Sequence, residues 1–257
     1  MMTVLSLGWG VQSFTLAAMS ALDELPKVDY AIHADTMHER TATYEFAAKM
    51  TPWLTEKGIT VLTVRSDHTA LQRSGMIMIP ARTDGEKGGQ QKRMCTGDWK
   101  LDPMRREMSR LLKVHGLKKY PGVVEQWIGI SYDESERQRP SGQRYIVNRW
   151  PLLERWMTRY DCERWLQDHG LPVPAKSACV FCPYRDDKTW LELQREQSCD
   201  FEQAQKADAF IRKARPPYDL YLHRKLKPLG DIDFRSEAER SGQLSLWQDE
   251  CTGLCGV

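Results

Sequence analysis

The sequence predicts an α/β fold, a parallel sheet flanked by helices, followed by a small and mostly helical C-terminal appendage. Two observations carry this. In the first quarter of the chain, short β-branched or apolar runs alternate with longer amphipathic ones. Strand–helix–strand–helix–strand is the pattern of a parallel sheet wrapped by its crossover helices. Beyond Pro172 the character changes to prolines, a Cys-x-x-Cys and polar helical stretches. The expected division is residues 1–174 for the α/β domain and 175–257 for a cysteine-containing region packed on it.

Each element has its own signal. Residues 3–7 form an apolar strand that runs into Gly8-Trp9-Gly10, and residues 13–22, rich in Ala, Leu and Met, read as a helix. Residues 28–34 read as a second strand ending at Asp35-Thr36. Residues 41–57 are amphipathic, with Gly58 as a C-terminal stop, and 59–64 alternate as a third strand. Residues 66–100 are irregular, with Gly85, Gly88 and Gly89 among polar neighbours, and a loop of that length in a compact domain is often functional. A helix is expected over 101–115, a strand over 123–131, a charged loop over 132–143, a strand over 145–152 and a helix over 159–169.

Composition narrows the class. The chain has 257 residues, enough to bury a core, and its 37 basic and 35 acidic residues give a net charge of +2. That balance does not demand nucleic acid as a partner, although Lys92, Arg93, Lys100, Arg105, Arg106 and Arg110 lie close together in sequence. A mean hydropathy of −0.58 and the absence of a long apolar run argue against a membrane span, and residues 1–8 lack the features of a signal peptide. The expectation is a cytoplasmic protein. Seven cysteines, an odd number, point to metal binding, catalysis or burial rather than a disulfide framework.

The segment 6–13, between a strand and a helix, is the first candidate site. Phosphate binding needs backbone N–H groups free to face oxygen, which Gly8 and Gly10 permit, while a helix N-terminus adds partial positive charge and Ser13 a hydroxyl. There is no Gly-Lys-Ser/Thr as in a Walker loop, and the dinucleotide spacing is missing. A tight turn without a ligand would read the same way. Asp35, at the carboxyl end of the second strand, could hold a ribose hydroxyl or Mg²⁺, or could cap the following helix. Lys100 and Arg137 could offset phosphate charge, and Glu134 could orient an arginine or carry Mg²⁺; each could equally be a solvated surface charge.

These residues together resemble the PP-loop of the ATP pyrophosphatase superfamily, and in particular its phosphoadenylyl-sulfate (PAPS) reductase branch and related DNA and tRNA sulfur-transfer proteins. Gly8, Gly10 and Ser13 match the Ser-Gly-Gly-x-Asp-Ser pattern, with Trp9 where glycine is usual and Gln12 where aspartate is common. Three further segments are similar and stand in the family's order: 33–39 to its Asp-Thr-Gly segment, 94–103 to its Cys-…-Lys-…-Pro segment, and 129–137 to its Gly-Ile-Arg-…-Glu-Ser-…-Arg segment. The resemblance implies a Rossmann-like, adenine nucleotide alpha hydrolase-like sheet. It implies an adenine nucleotide, ATP or else APS or PAPS, with Mg²⁺, held by Ser6, Gly8, Trp9, Gly10, Gln12, Ser13, Asp35, Thr36, Lys100, Gly129, Ser131, Glu134 and Arg137, with Trp9 covering the nucleotide or narrowing the loop.

The cysteines extend the resemblance. Cys179 and Cys182 form a Cys-x-x-Cys-Pro, a spacing that can serve one metal ion or one cluster. The resemblance implies Cys95 as a partner and a [4Fe–4S] cluster, with zinc as the alternative metal. The ending Glu250-Cys251-Thr252-Gly253-Leu254-Cys255 resembles the Glu-Cys-Gly-Leu-His tail of sulfonucleotide reductases, with Thr252 inserted and Cys255 in place of histidine. Cys251 and Cys255 are thus candidate nucleophiles or sulfur carriers, and Cys255 a candidate fourth ligand. The expected function is adenylation of a substrate with release of pyrophosphate, followed by sulfur transfer. Two rivals are a sulfonucleotide reductase that releases sulfite, and a non-catalytic nucleotide-binding module with structural zinc. Expected partners are the adenine nucleotide, a tRNA or DNA substrate or a sulfur-donor protein, with no membrane; a homodimer is compatible.

Overall fold

The computed structural model describes residues 1–85 and 88–236. Cys251 and Cys255 lie outside the described residues. The chain divides into two compact units, 1–67 with 97–177, and 68–96 with 178–257. The division is not a single cut at residue 174: the irregular segment 68–96 leaves the α/β unit and joins the C-terminal region. Its link is a short antiparallel pairing of Arg82–Thr83 with Leu220–Tyr221, a partnership across more than a hundred residues that no local pattern announces.

The first unit is the predicted α/β sheet. Its strands are β1 (Met2–Ser6), β2 (Tyr30–Asp35), β3 (Thr60–Arg65), β4 (Val124–Ile128) and β5 (Ile146–Arg149). They are parallel and ordered β3-β2-β1-β4-β5, with Leu5 beside Ala31 on one side and Trp127 on the other. The helices are α1 (Val11–Ala21), α2 (Thr41–Glu56), α3 (Asp102–Val114), α4 (Pro151–Glu154) and α5 (Arg159–Asp168). Alternation along β1 splits the core into two layers. Leu5 packs with Phe14, Leu16, Met50, Leu54, Trp127, Cys162 and Leu166, from α1, α2, β4 and α5. Met2 and Val4 point the other way, to Met104, Met108, Leu111 and Leu112 of α3. Both faces of β1 are covered, which is why it reads as a largely apolar run, whereas β3 at the sheet edge alternates and is only partly buried.

Several elements differ from the sequence expectation: the strand expected over 123–131 ends at Ile128, and two further differences follow. The strand expected over 145–152 stops at Arg149, because Pro151 starts the short helix α4, where its missing N–H costs nothing. The charged loop after β4 contains a 3-10 segment, Tyr132–Arg137. At Thr158 the chain is fixed by a capping box with Asp161 that starts α5.

The second unit contains α6 (Asp187–Glu196) and α7 (Ser198–Arg212). Asp186 caps α6 by accepting from the Thr189 N–H. Trp190, Phe201 and Phe234 form an aromatic core. Asp208, buried on α7, ties it together: it pairs with Arg212 and accepts from the Leu222 and Leu229 N–H groups at 3.0 and 3.2 Å. No described helix is long and apolar enough to cross a membrane.

Candidate nucleotide site and cysteine site

The strand order reverses at β1: the chain goes from β1 outward to β2 and β3, then crosses back to β4. In open parallel sheets ligands bind beyond the carboxyl ends of the strands at such a switch point. The loop at residues 7–10 leaves β1 there. It is held by Leu7 N–H donating to the Ile32 carbonyl at 2.9 Å, by Gly8 N–H donating to Ser13 Oγ at 3.1 Å, and by Ser13 Oγ donating to the Gly10 carbonyl at 3.2 Å. Gly10 is the N-cap of α1, with no side-chain cap and no acidic residue in the first turn. The first-turn N–H groups therefore have no intrahelical acceptor, and no acidic side chain of the helix's own first turn offsets the positive end of its dipole.

The loop after β4 closes on this turn from the other side of the switch. A Cβ on Gly129 would stand 2.7 Å from the Ser13 N, 2.9 Å from its Cα and 3.0 Å from the Gln12 carbonyl carbon. Only glycine allows that approach. The Gln12 amide donates to Ser131 Oγ at 3.4 Å and lies 3.5 Å from Glu134 Oε2, which pairs with Arg137. Burial raises the Glu134 carboxyl, and the Arg137 guanidinium works against that shift. Gly8, Gly10, Gln12, Ser13, Gly129, Ser131, Glu134 and Arg137, scattered over 130 positions, thus converge on one helix end.

Trp9 is not a lid. Its side chain is 2% exposed, in the core against Phe14, Phe46 and His33, so its contribution at the loop is its backbone. It holds φ at +57°, a left-handed conformation that costs a bulky residue about 1–2 kcal/mol. Met37 holds φ at +64° in the second segment. Both stand where the resembling motifs carry glycine, and both hold a left-handed φ that glycine adopts most readily. The Ser6 hydroxyl faces Met104 Sδ at 3.6 Å, on the α3 side of the sheet.

At the end of β2 the structure separates two carboxylates. Asp35 is saturated by its own surroundings: it accepts from Met37 N–H, the Tyr44 hydroxyl and Arg65 Nε, each at 2.8 Å. Burial opposes its charge, but these three donors hold its carboxyl below the usual range. Its role in the structure is to fix the turn into α2. Glu39 differs. Its residue is 4% exposed; Oε1 faces Lys100 Nζ at 3.4 Å and Thr36 Oγ at 3.3 Å, while Oε2 is buried with no hydrogen-bond partner among the described residues. A buried carboxylate oxygen left bare calls for a donor from outside the chain. Sequence reasoning passed over Glu39; the signal present was a carboxylate three residues past Thr36, between a strand end and a helix. Buried His33 lies nearby, its Nδ1 3.0 Å from the Leu7 carbonyl, and burial lowers its imidazole pKa against the pull of Glu39.

In the second unit, Cys182 N–H donates to the Cys179 carbonyl at 3.0 Å, closing the Cys-x-x-Cys turn, and Arg185 reaches the same carbonyl at 2.9 Å. Burial pushes the Cys182 thiol up; the Tyr184 N–H, Arg185 and Arg93 pull the other way, and Cys95 is near enough to add to the rise. Cys95, Cys179 and Cys182 belong to one unit. Among the described residues, however, no three His, Cys, Asp or Glu side chains gather at metal-ligand spacing. The described residues do not by themselves compose an iron–sulfur or zinc site.

No family model matches this chain, and no curated protein matches it. Among solved structures it is similar to a phosphoadenylyl-sulfate (PAPS) reductase from Candida auris in a phosphate complex, at 15% identity and a TM-score of 0.43, over 67% of this chain and 74% of that one. At that distance the similarity carries no inference about chemistry.

Proposed function

We propose that the protein is a PP-loop enzyme that binds an adenine nucleotide through the β1–α1 turn. The observation that carries this is the meeting of Gly129 with the uncapped start of α1 at the sheet's switch point. Two of the four resembling segments, 6–13 and 129–137, build that place from opposite sides, and a third, 33–39, ends the neighbouring strand. The uncapped N–H groups and the helix dipole suit phosphate oxygens, and Gln12, Ser131, Glu134 and Arg137 form a polar wall beside them. Lys100, held by Glu39, supplies a cation at the end of β2. On this reading Glu39 Oε2 takes its missing donor from the ligand, a ribose hydroxyl or a water on Mg²⁺.

The reaction proposed is attack on the α-phosphorus of ATP by a substrate oxygen, with loss of pyrophosphate. Positioning and fixed positive charge would supply most of the rate. The sulfur-transfer step rests on the resemblance of the cysteine segments, and its ligands beyond Cys95, Cys179 and Cys182 would come from Cys251 or Cys255. Calorimetry with ATP, APS and PAPS on wild-type protein and Ser13→Ala tests the site, with product analysis after incubation. ATP binding with pyrophosphate and AMP as products supports the reading. Sulfite from APS or PAPS would replace it with a reductase. No binding of any of the three by the folded protein would refute it.

A further inference from the structure

The second unit contains a cavity of about 350 Å³, lined by Gly75, Met76, Ile77, Lys92, Met94 and Arg215. Its first wall is a hairpin, Gln72–Arg73 against Met76–Ile77, whose tip residues Ser74 and Gly75 both have positive φ, as a two-residue turn requires. Its second wall is the segment 91–94, pinned to the segment 78–81 by Gln91 N–H to the Ala81 carbonyl and Met94 N–H to the Met78 carbonyl. The third follows α7. Along the second wall Lys92 and Met94 face the cavity, whereas Arg93 lies over the Tyr184 ring beside the Cys-x-x-Cys turn.

The charged residues among the described lining are all basic. Among the described residues, Lys92 and Arg215 are exposed cations that form no ion pair or side-chain hydrogen bond, and no carboxylate lines the cavity. Nearby cations are different: Arg212 is neutralised by Asp208 and Lys213 by Asp219. Ile77, which is buried, and the side chains of Met76 and Met94 share the lining with Lys92 and Arg215. Met76 is 53% exposed, a large apolar side chain left open to solvent. Methionine sulfur favours contact with flat aromatic rings, and paired Lys and Arg donors favour phosphate oxygens. The volume is at the lower end of ligand pockets, the size for one small molecule.

We propose that this cavity binds a nucleoside phosphate, with its base against Met76 and Met94 and its phosphate between Lys92 and Arg215. The shared chemistry has two sources, a free mononucleotide or a residue of a single strand. The cavity belongs to the second unit and the β1–α1 turn to the first, so a local readout is needed. Methyl-¹³C methionine NMR of the full chain provides one, with Met76→Leu and Met94→Leu assigning the two signals. AMP should move both signals saturably. Adenosine, which lacks the phosphate, should bind about tenfold more weakly or worse, as should AMP to Lys92→Glu or Arg215→Glu. Both variants are at exposed positions, and circular dichroism checks that they fold. A short oligoadenylate that binds tighter than AMP identifies a strand as the source; one that binds no tighter identifies the free nucleotide. Unmoved signals at millimolar AMP, equal binding of adenosine, or equal movement by inorganic phosphate alone would each overturn the proposal.

Discussion

Replacing Gly129 with alanine is the sharpest test of how the proposed nucleotide site is built. The added Cβ would stand 2.7 Å from a backbone nitrogen of α1, where ordinary contact begins at 3.4 Å. The β4 loop and the start of α1 must therefore separate by about 0.7 Å, and neither can yield by rotating a side chain. Forcing a methyl group into such a place costs about 1–3 kcal/mol. For a chain of this size each kcal/mol lowers the midpoint by roughly 2–4 °C, so Gly129→Ala should melt about 2–12 °C below wild type. Gly97→Ala is the control, because a Cβ there meets nothing within 4 Å. Calorimetry measures both, and ATP titration of the folded variant measures the second consequence. A gap opened beside Ser13 displaces the N–H groups that would face phosphate, so affinity should fall with stability. If Gly129→Ala melts with wild type and binds ATP as tightly, the two loops do not meet as described and the site built on them is wrong.

Three further outcomes follow from the same geometry. Glu39→Gln gives the bare Oε2 position an N–H in place of an acceptor; nucleotide affinity or its Mg²⁺ dependence should drop about tenfold with little change in fold, and unchanged binding would remove Glu39 from the site. His33 and His223 both have imidazole pKa values lowered by burial, so their stabilising contribution is present above about pH 6.5 and is lost as pH falls through their folded values; the melting midpoint should decline from pH 7 to 5, with a shallower slope in His33→Asn. Burial pushes the Cys162 thiol up to about 12, whereas Cys199 is exposed, so iodoacetamide at pH 8 should label Cys199 in the native protein and reach Cys162 only on unfolding.

Much of the first unit was legible because its signals are local. Apolar periodicity marks β1, α1, β2, α2 and β3, and glycines or a proline mark their ends. The sheet's parallel character followed from alternation alone, since a strand followed by a helix must cross over to reach its neighbour. The same local reading placed Gly8 and Gly10 in the turn after β1 and Ser13 at the start of α1, but it ran the β4 strand on through Gly129, past its end at Ile128.

The roles of individual side chains were not legible, because they depend on which partners the fold brings to them. Trp9 and a nucleotide-covering residue look alike in sequence; only the position of Phe14 and Phe46 beneath the loop shows that the indole is core. Asp35 and Glu39 are both carboxylates between a strand and a helix, but Tyr44 and Arg65 saturate one and leave the other with a bare oxygen. The assignment of 68–96 to the second unit depended on pairing with residues 220–221, far along the chain. The sequence by itself determined the layered α/β architecture and the edge of the sheet where a ligand would sit, because hydrophobic period and glycine placement act over a few residues. Tertiary structure alone decided which polar atoms are already satisfied and which still lack a partner, because hydrogen bonding and burial are set by neighbours distant in sequence.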